Sequence, residues 1–238
     1  MERIQTMSRK GEKGFTLVEL AIVMIIIGLL IVGILKGQEM IANAQVSSTI
    51  TQVKSMDAAT STFRDMFNAV PGDMATATNR LAGCTVAPCA NGNGDGRVSV
   101  AVGAALATGN EAGNFFLHML YADLISGIDG TAGATYGQEF PAAPVGGGFT
   151  VGHTSTGNGG FPALRPGHYL TINETTLAAG GTEGVLNGTQ SARVDRKMDD
   201  GIGNTGSVQA LGTTCLTAGA YDENVETALC SLAFRVQG

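Results

Sequence analysis

From Phe15 to Leu35 the chain is apolar at nearly every position. Those 21 residues include only two polar side chains, Thr16 and Glu19, and the sixteen from Leu20 to Leu35 carry no charge. As a helix the run is about 31 Å long, enough to cross a bilayer. A secretory signal would have a shorter apolar core and small residues at its far end for cleavage. This run ends instead on Gly33-Ile34-Leu35-Lys36-Gly37-Gln38, which predicts that the segment is retained. Beyond Lys36 the pattern becomes amphipathic. Ile50, Val53, Met56, Phe63, Met66 or Phe67, and Val70 recur at helical spacing, with Thr51, Lys54, Ser55, Thr62 and Arg64 largely between them. No proline interrupts before Pro71-Gly72. The pattern therefore predicts one helix over 15–70, about 84 Å long, with a membrane half (15–35) and an amphipathic half (36–70).

Residues 71–238 are rich in glycine, alanine and threonine and contain no tryptophan. Phe116, Leu117, Leu120 and Leu124 share one face of a predicted helix over Glu111–Leu124. A shorter helix is predicted from about Ser191 to Asp199, ending at Gly201. His168–Ile172, Ser207–Leu211 and Leu229–Val236 read as strands. Segment 127–166 has little pattern, and its Gly146-Gly147-Gly148 and Gly157-Asn158-Gly159-Gly160 clusters predict exposed loops.

Charge changes the picture by its position. The 238 residues carry a formal net charge of -6, yet residues 1–14 set four basic side chains (Arg3, Arg9, Lys10, Lys13) against Glu2 and Glu12. That is a net of +2, leaving -8 on the remainder. Basic charge beside an apolar span keeps the N-terminus cytoplasmic and sends the following domain across the membrane. Met7 offers a second start that retains Arg9, Lys10 and Lys13. An acidic exported domain argues against a nucleic-acid partner, which needs a basic face. The four cysteines, Cys84, Cys89, Cys215 and Cys230, lie in this part, and an even count in an oxidising compartment predicts two disulfides. Three pairings are open, and proximity favours Cys84–Cys89 with Cys215–Cys230. The rival is a zinc site, against which no Cys-x-x-Cys pair occurs and His118, His153 and His168 show no ligand spacing.

The most specific signal is local. Lys13-Gly14-Phe15-Thr16-Leu17-Val18-Glu19 places a basic stretch and a glycine before the apolar run, with an acid at the run's fifth position. A carboxylate inside a bilayer segment is costly, and a chain retains it when it later finds a cation. This arrangement resembles the processing site of type IV prepilins and type II secretion pseudopilins. The resemblance covers about the first 60 residues. It implies that prepilin peptidase cuts after Gly14 and that Phe15 becomes the methylated N-terminus. It implies assembly from the inner membrane by a platform into a filament of pilin subunits. There the Glu19 carboxylate would pair with the Phe15 amine of a neighbour in an apolar core. The resemblance also implies an α+β pilin fold, in which an antiparallel sheet packs on the long helix. A Cys215–Cys230 bridge would close the kind of C-terminal loop that staples many pilins.

Other motifs weigh less. Gly201-Ile202-Gly203-Asn204-Thr205-Gly206 satisfies a dinucleotide pattern but follows a polar segment and opens no helix. Asn173-Glu174-Thr175 and Asn187-Gly188-Thr189 match glycosylation sequons. No phosphate loop, nucleophile elbow or catalytic His–carboxylate pair emerges, so an enzyme is not expected. Asn91, Asn93 and Asp95 occupy positions 1, 3 and 5 of a calcium loop with Gly96 at 6, but Val102 stands where the bidentate Glu belongs. Asp195, Asp199 and Asp200 concentrate carboxylates before a glycine-rich turn, and some pseudopilins hold calcium in a C-terminal loop. Calcium is therefore a candidate ligand at either place. The alternative to a filament subunit is a membrane-anchored binding module, such as an adhesin, that does not polymerise.

Overall fold

A computed structural model describes residues 14–156, 160–161, 164–175, 184–211, 215–224, 226–227 and 230–236. Leader residues 1–13, Gly157 to Gly159 of the second glycine cluster, and Leu229 lie outside the described residues. The chain divides into two units, residues 1–43 and 44–238.

In the first unit the long helix α1 (Leu17–Phe67) begins. Its apolar window is long and hydrophobic enough to cross a membrane, and none of that window is buried. In the second unit α1 turns one face inward. Val46, Ile50, Val53, Met56, Ala59 and Phe63, spaced three or four apart, are all buried. The helix stops at Phe67 because Asn68 enters the left-handed region (φ 53°), three residues ahead of Pro71.

A four-residue turn of helix, α2 (Ala77–Arg80), and then α3 (Glu111–Tyr121) follow. The apolar pattern carries α3 on to Leu124, but the backbone closes it earlier. Asp123 is left-handed (φ 57°), and the N–H groups of Asp123 and Leu124 return to the carbonyls of Leu120 and Met119 at 3.0 and 2.9 Å. That is a Schellman cap. Helix α4 (Gly188–Met198) starts three residues before its predicted position. Asn187 caps it, accepting from Gln190 N–H at 2.8 Å, while the Gln190 side chain accepts from Asn187 N–H at 3.1 Å.

The main sheet contains β1 (Gly148–His153), β2 (His168–Asn173), β3 (Val208–Leu211) and β6 (Ser231–Val236), in the order β1-β2-β6-β3, all antiparallel. A small ribbon pairs β4 (Leu216–Thr217) with β5 (Ala220–Tyr221). Helix α3 packs on β1, and α4 packs on β3 and β5. One sheet face, with Phe149, Val151, Leu170, Ile172, Leu232 and Phe234, joins the buried face of α1 and the α3 phenylalanines in one core. The other face is also covered. Tyr169 and Ala233 pack there with Val102 and Phe161. Thr150, Thr171, Asn173 and Ser231 form a hydrogen-bonded polar cluster on it, all four buried.

Strand β1 corrects the reading of Gly146-Gly147-Gly148 as an exposed loop at its last residue, while Gly146 is exposed in the bend before it. Gly148 is buried and pairs with Asn173. A Cβ on Gly148 would lie 2.2 Å from the Tyr136 ring, and one on Gly152 would lie 2.5 Å from the Ala101 carbonyl oxygen. These glycines let covering segments approach the strand closely. Asn173, at the first sequon, is buried in the polar cluster, and Asn187, at the second, is a helix cap.

Candidate functional site

In the first unit, Phe15 is 82% exposed and Thr16 opens α1. Glu19 lies in the first helical turn and folds back on Thr16. Its Oε2 accepts from Thr16 N–H and from the Thr16 hydroxyl, each at 2.9 Å, and its own N–H donates to Thr16 Oγ1 at 3.2 Å. Reciprocal bonds of this kind form a capping box, which the spacing Thr16-x-x-Glu19 encodes. The carboxylate is thus held one residue from the predicted cut, with an apolar helix following. Residues 9–35 match the prokaryotic N-terminal methylation motif.

The chain carries the type IV prepilin/pseudopilin signature.

The signature implies processing by prepilin peptidase and pilin-like assembly, and the apolar helix beside it fits a membrane-anchored precursor. The α+β arrangement, with a long N-terminal helix and an antiparallel sheet, is consistent with a pilin fold. No curated protein matches the chain, and no solved structure does.

In the second unit, the two predicted calcium segments are built differently. In the Asn91–Gly96 loop the side-chain oxygens accept backbone N–H groups: Asn91 Oδ1 from Thr78 at 2.9 Å, Asn93 Oδ1 from Asp95 at 2.9 Å, and Asp95 Oδ1 from Arg97 at 3.0 Å. The amides of Gly94, Asp95 and Gly96 converge on the buried Asp73 carboxylate at 2.7, 3.1 and 2.7 Å. Glu111 receives two more, from Asn93 and Ser99. The loop therefore wraps a carboxylate belonging to the protein, which is the job of an anion nest rather than a cation cup. Burial raises the Asp73 pKa, and the three amides oppose that rise. Nothing in the sequence around Asp73 marks it for this role.

Asp195, Asp199 and Asp200 gather, with carboxylate oxygens within 4.8 Å of one another. Asp195 is fully buried, and its Oδ2 accepts from Tyr221 Oη at 2.8 Å while Oδ1 accepts from Gly201 N–H at 3.2 Å. Burial raises its pKa, opposed by the Tyr221 hydroxyl and the Gly201 amide. Asp199 Oδ2 accepts from Val208 N–H at 3.2 Å and from Ser207 N–H. The Thr205 hydroxyl and the Ile202 amide hold the Asp200 pKa down. The dinucleotide-like Gly201–Gly206 segment is the turn that supplies the Gly201, Ile202 and Thr205 donors. Two oxygens bound to one calcium at about 2.4 Å each lie at most about 4.8 Å apart. Three carboxylates gathered this closely could hold a hard divalent cation, and each oxygen has two lone pairs to share.

The cysteines pair as Cys84–Cys89 and Cys215–Cys230, with Cα separations of 5.1 and 5.3 Å. The second bridge closes a loop clamped to α4 by Tyr221, by Thr189 on the Glu223 carbonyl, and by the Arg196–Glu223 ion pair. His118, which has no ligand spacing in the sequence, lies beside Cys84 and Cys89.

Proposed function

We propose that this chain is a structural subunit, minor or specialised, of a type IV pilus or a type II secretion pseudopilus. Residues 1–14 serve as leader, and the helix over 15–70 anchors the precursor with its N-terminus in the cytoplasm. Residues 71–238 form the exported domain. Prepilin peptidase cuts after Gly14, Phe15 is N-methylated, and an inner-membrane assembly platform moves the subunit into the filament. The size of the exported domain favours a minor or specialised subunit over a major one. The role is structural, not enzymatic, and Asp195, Asp199 and Asp200 would hold a calcium ion that steadies the C-terminal loop. The observation that carries the reading is the motif at 9–35, with Glu19 fixed at the start of an exposed apolar helix.

Glu19 has two chemical roles that substitution separates. Glutamine keeps a capping box, since Gln serves that position as well as Glu, but it carries no charge for a neighbouring amine. Glu19→Gln and Glu19→Ala are both expected to be processed and inserted yet absent from sheared filaments. Assembly of Glu19→Gln with failure of Glu19→Ala would reduce Glu19 to a helix cap. Gly14→Ala is expected to leave an unprocessed precursor. A processed Glu19→Ala variant that assembles normally would overturn the pairing of Glu19 with a neighbour's amine, and filaments lacking the wild-type chain would favour a membrane-anchored binding module.

A further inference from the structure

Three buried side chains from two segments, the 84–89 loop and α3, meet in the second unit. Cys84, Cys89 and His118 are 0%, 4% and 0% exposed, and two sulfurs and a ring nitrogen lie within 4.8 Å of one another. In the oxidised chain the sulfurs are bonded to each other and the imidazole is a bystander. Its Nδ1 accepts from Gly72 N–H at 2.9 Å, and its Nε2 lies 2.9 Å from the Ala90 carbonyl oxygen. A carbonyl only accepts, so Nε2 carries the proton and Nδ1 the lone pair. An outer N–H anchored on a backbone carbonyl, with the other nitrogen free of a proton, is how metal-ligating histidines are held.

We propose that reduction of the Cys84–Cys89 disulfide converts this cluster into a Cys2His zinc site. A dithiol reductant breaks the S–S bond, is itself oxidised to a disulfide, and leaves two protons on the cysteine sulfurs. Zinc then displaces both protons to solvent as two Zn–S bonds form. The imidazole nitrogen that takes the metal gives up its backbone partner, which for Nδ1 is Gly72 N–H. Cys84-x4-Cys89 falls within the spacing of zinc-binding cysteine pairs, and a fourth position remains for water. Two thiolates and an imidazole suit zinc and do not suit calcium, which takes oxygen ligands. The site closes the 84–89 loop onto α3 by metal when the covalent staple is open. The other cysteine pair supplies a control: among the described residues, no His, Asp or Glu completes a comparable group with Cys215 and Cys230.

The test uses the full chain in detergent, reduced with a phosphine without oxygen and titrated with Co2+ and then Zn2+. A thiolate-to-cobalt charge-transfer band is expected, saturating at a single metal per chain and displaced by zinc. It is expected to vanish in the Cys84→Ser/Cys89→Ser variant and to persist in Cys215→Ser/Cys230→Ser. His118→Gln is expected to weaken binding by roughly tenfold or more. No band in the reduced wild type, a band that survives loss of Cys84 and Cys89, or unchanged affinity in His118→Gln would each overturn the site. X-ray absorption of the zinc-loaded wild type needs no variant: two sulfurs and an imidazole are expected, and any sphere lacking either overturns it.

Discussion

Tyr221→Phe deletes one oxygen and leaves the ring in place. That oxygen donates to Asp195 Oδ2 at 2.8 Å, in a setting where Tyr221 is 9% exposed and Asp195 not at all. After the change, only Gly201 N–H, on the other carboxylate oxygen, remains among the hydrogen bonds to Asp195 described above. A hydrogen bond to a charged group contributes about 1.5–3 kcal/mol, and an unpaired buried acceptor keeps its desolvation cost. For a domain of this size the loss corresponds to a Tm decrease of roughly 3–12 °C. The pH dependence follows from the raised Asp195 pKa. A carboxyl raised in the folded state favours folding when protonated, a contribution present below the ordinary carboxylate value and lost as pH climbs through the raised one. The Tyr221 hydroxyl stabilises the ionised form, so its removal raises the Asp195 pKa further. The gap between wild type and variant is therefore widest at neutral pH. In acid it narrows toward the roughly 1 kcal/mol of a neutral hydrogen bond. Thermal unfolding by circular dichroism at pH 7 and pH 3, in chelator, measures both gaps. A gap below about 0.5 kcal/mol, the range of ordinary surface changes, or one equal at both pH values, refutes the Tyr221–Asp195 coupling.

Phe63→Ala empties a fully buried site on α1, where the ring lies 4.5 Å from Phe67 and 6.2 Å from His118. A loss of about 3–5 kcal/mol is expected in denaturant unfolding, and a loss under 1 would mean that this stretch of α1 does not share the core. Calcium at a hundredfold excess over its dissociation constant is expected to stabilise the wild type by about 2.7 kcal/mol, reversed by chelator. It is expected to do nothing for Asp195→Asn/Asp199→Asn, and no shift in the wild type at millimolar calcium removes the site. Burial, then His153 and Arg64, push the His168 pKa down to about 4, with Asp95 opposing. A base depressed on folding favours the folded state above its ordinary pKa of 6.5, so stability is expected to fall as pH drops from 6.5 to about 4. The loss is on the order of 3 kcal/mol at about 1.4 kcal/mol per pKa unit. A His168→Phe variant whose unfolding free energy follows the same pH curve would contradict it.

Elements with an unbroken period are legible in the sequence. Helical spacing marks α1 and α3, and short apolar runs between turn residues mark β2, β3 and β6. Strand β1 is hidden because both sheet faces are covered, so no polar alternation survives, and because Gly148 and Gly152 look like loop residues. The start of α4 is hidden by a capping asparagine that also reads as a sequon. At the N-terminus the motif is plain, but Thr16-x-x-Glu19 carries a cap as well as a charge, and the bonds at 2.9 Å display the cap that this spacing encodes. The Asp73 nest and the place of His118 beside Cys84 and Cys89 depend on chain crossings that no local spacing encodes.

The most direct measurement is mass spectrometry of the N-terminus of this chain recovered from sheared surface filaments. The expected species begins at Phe15 and carries one methyl group on its amine. A chain that stays in the membrane fraction with residues 1–14 attached, or that is processed yet never enters the filaments, contradicts a filament subunit.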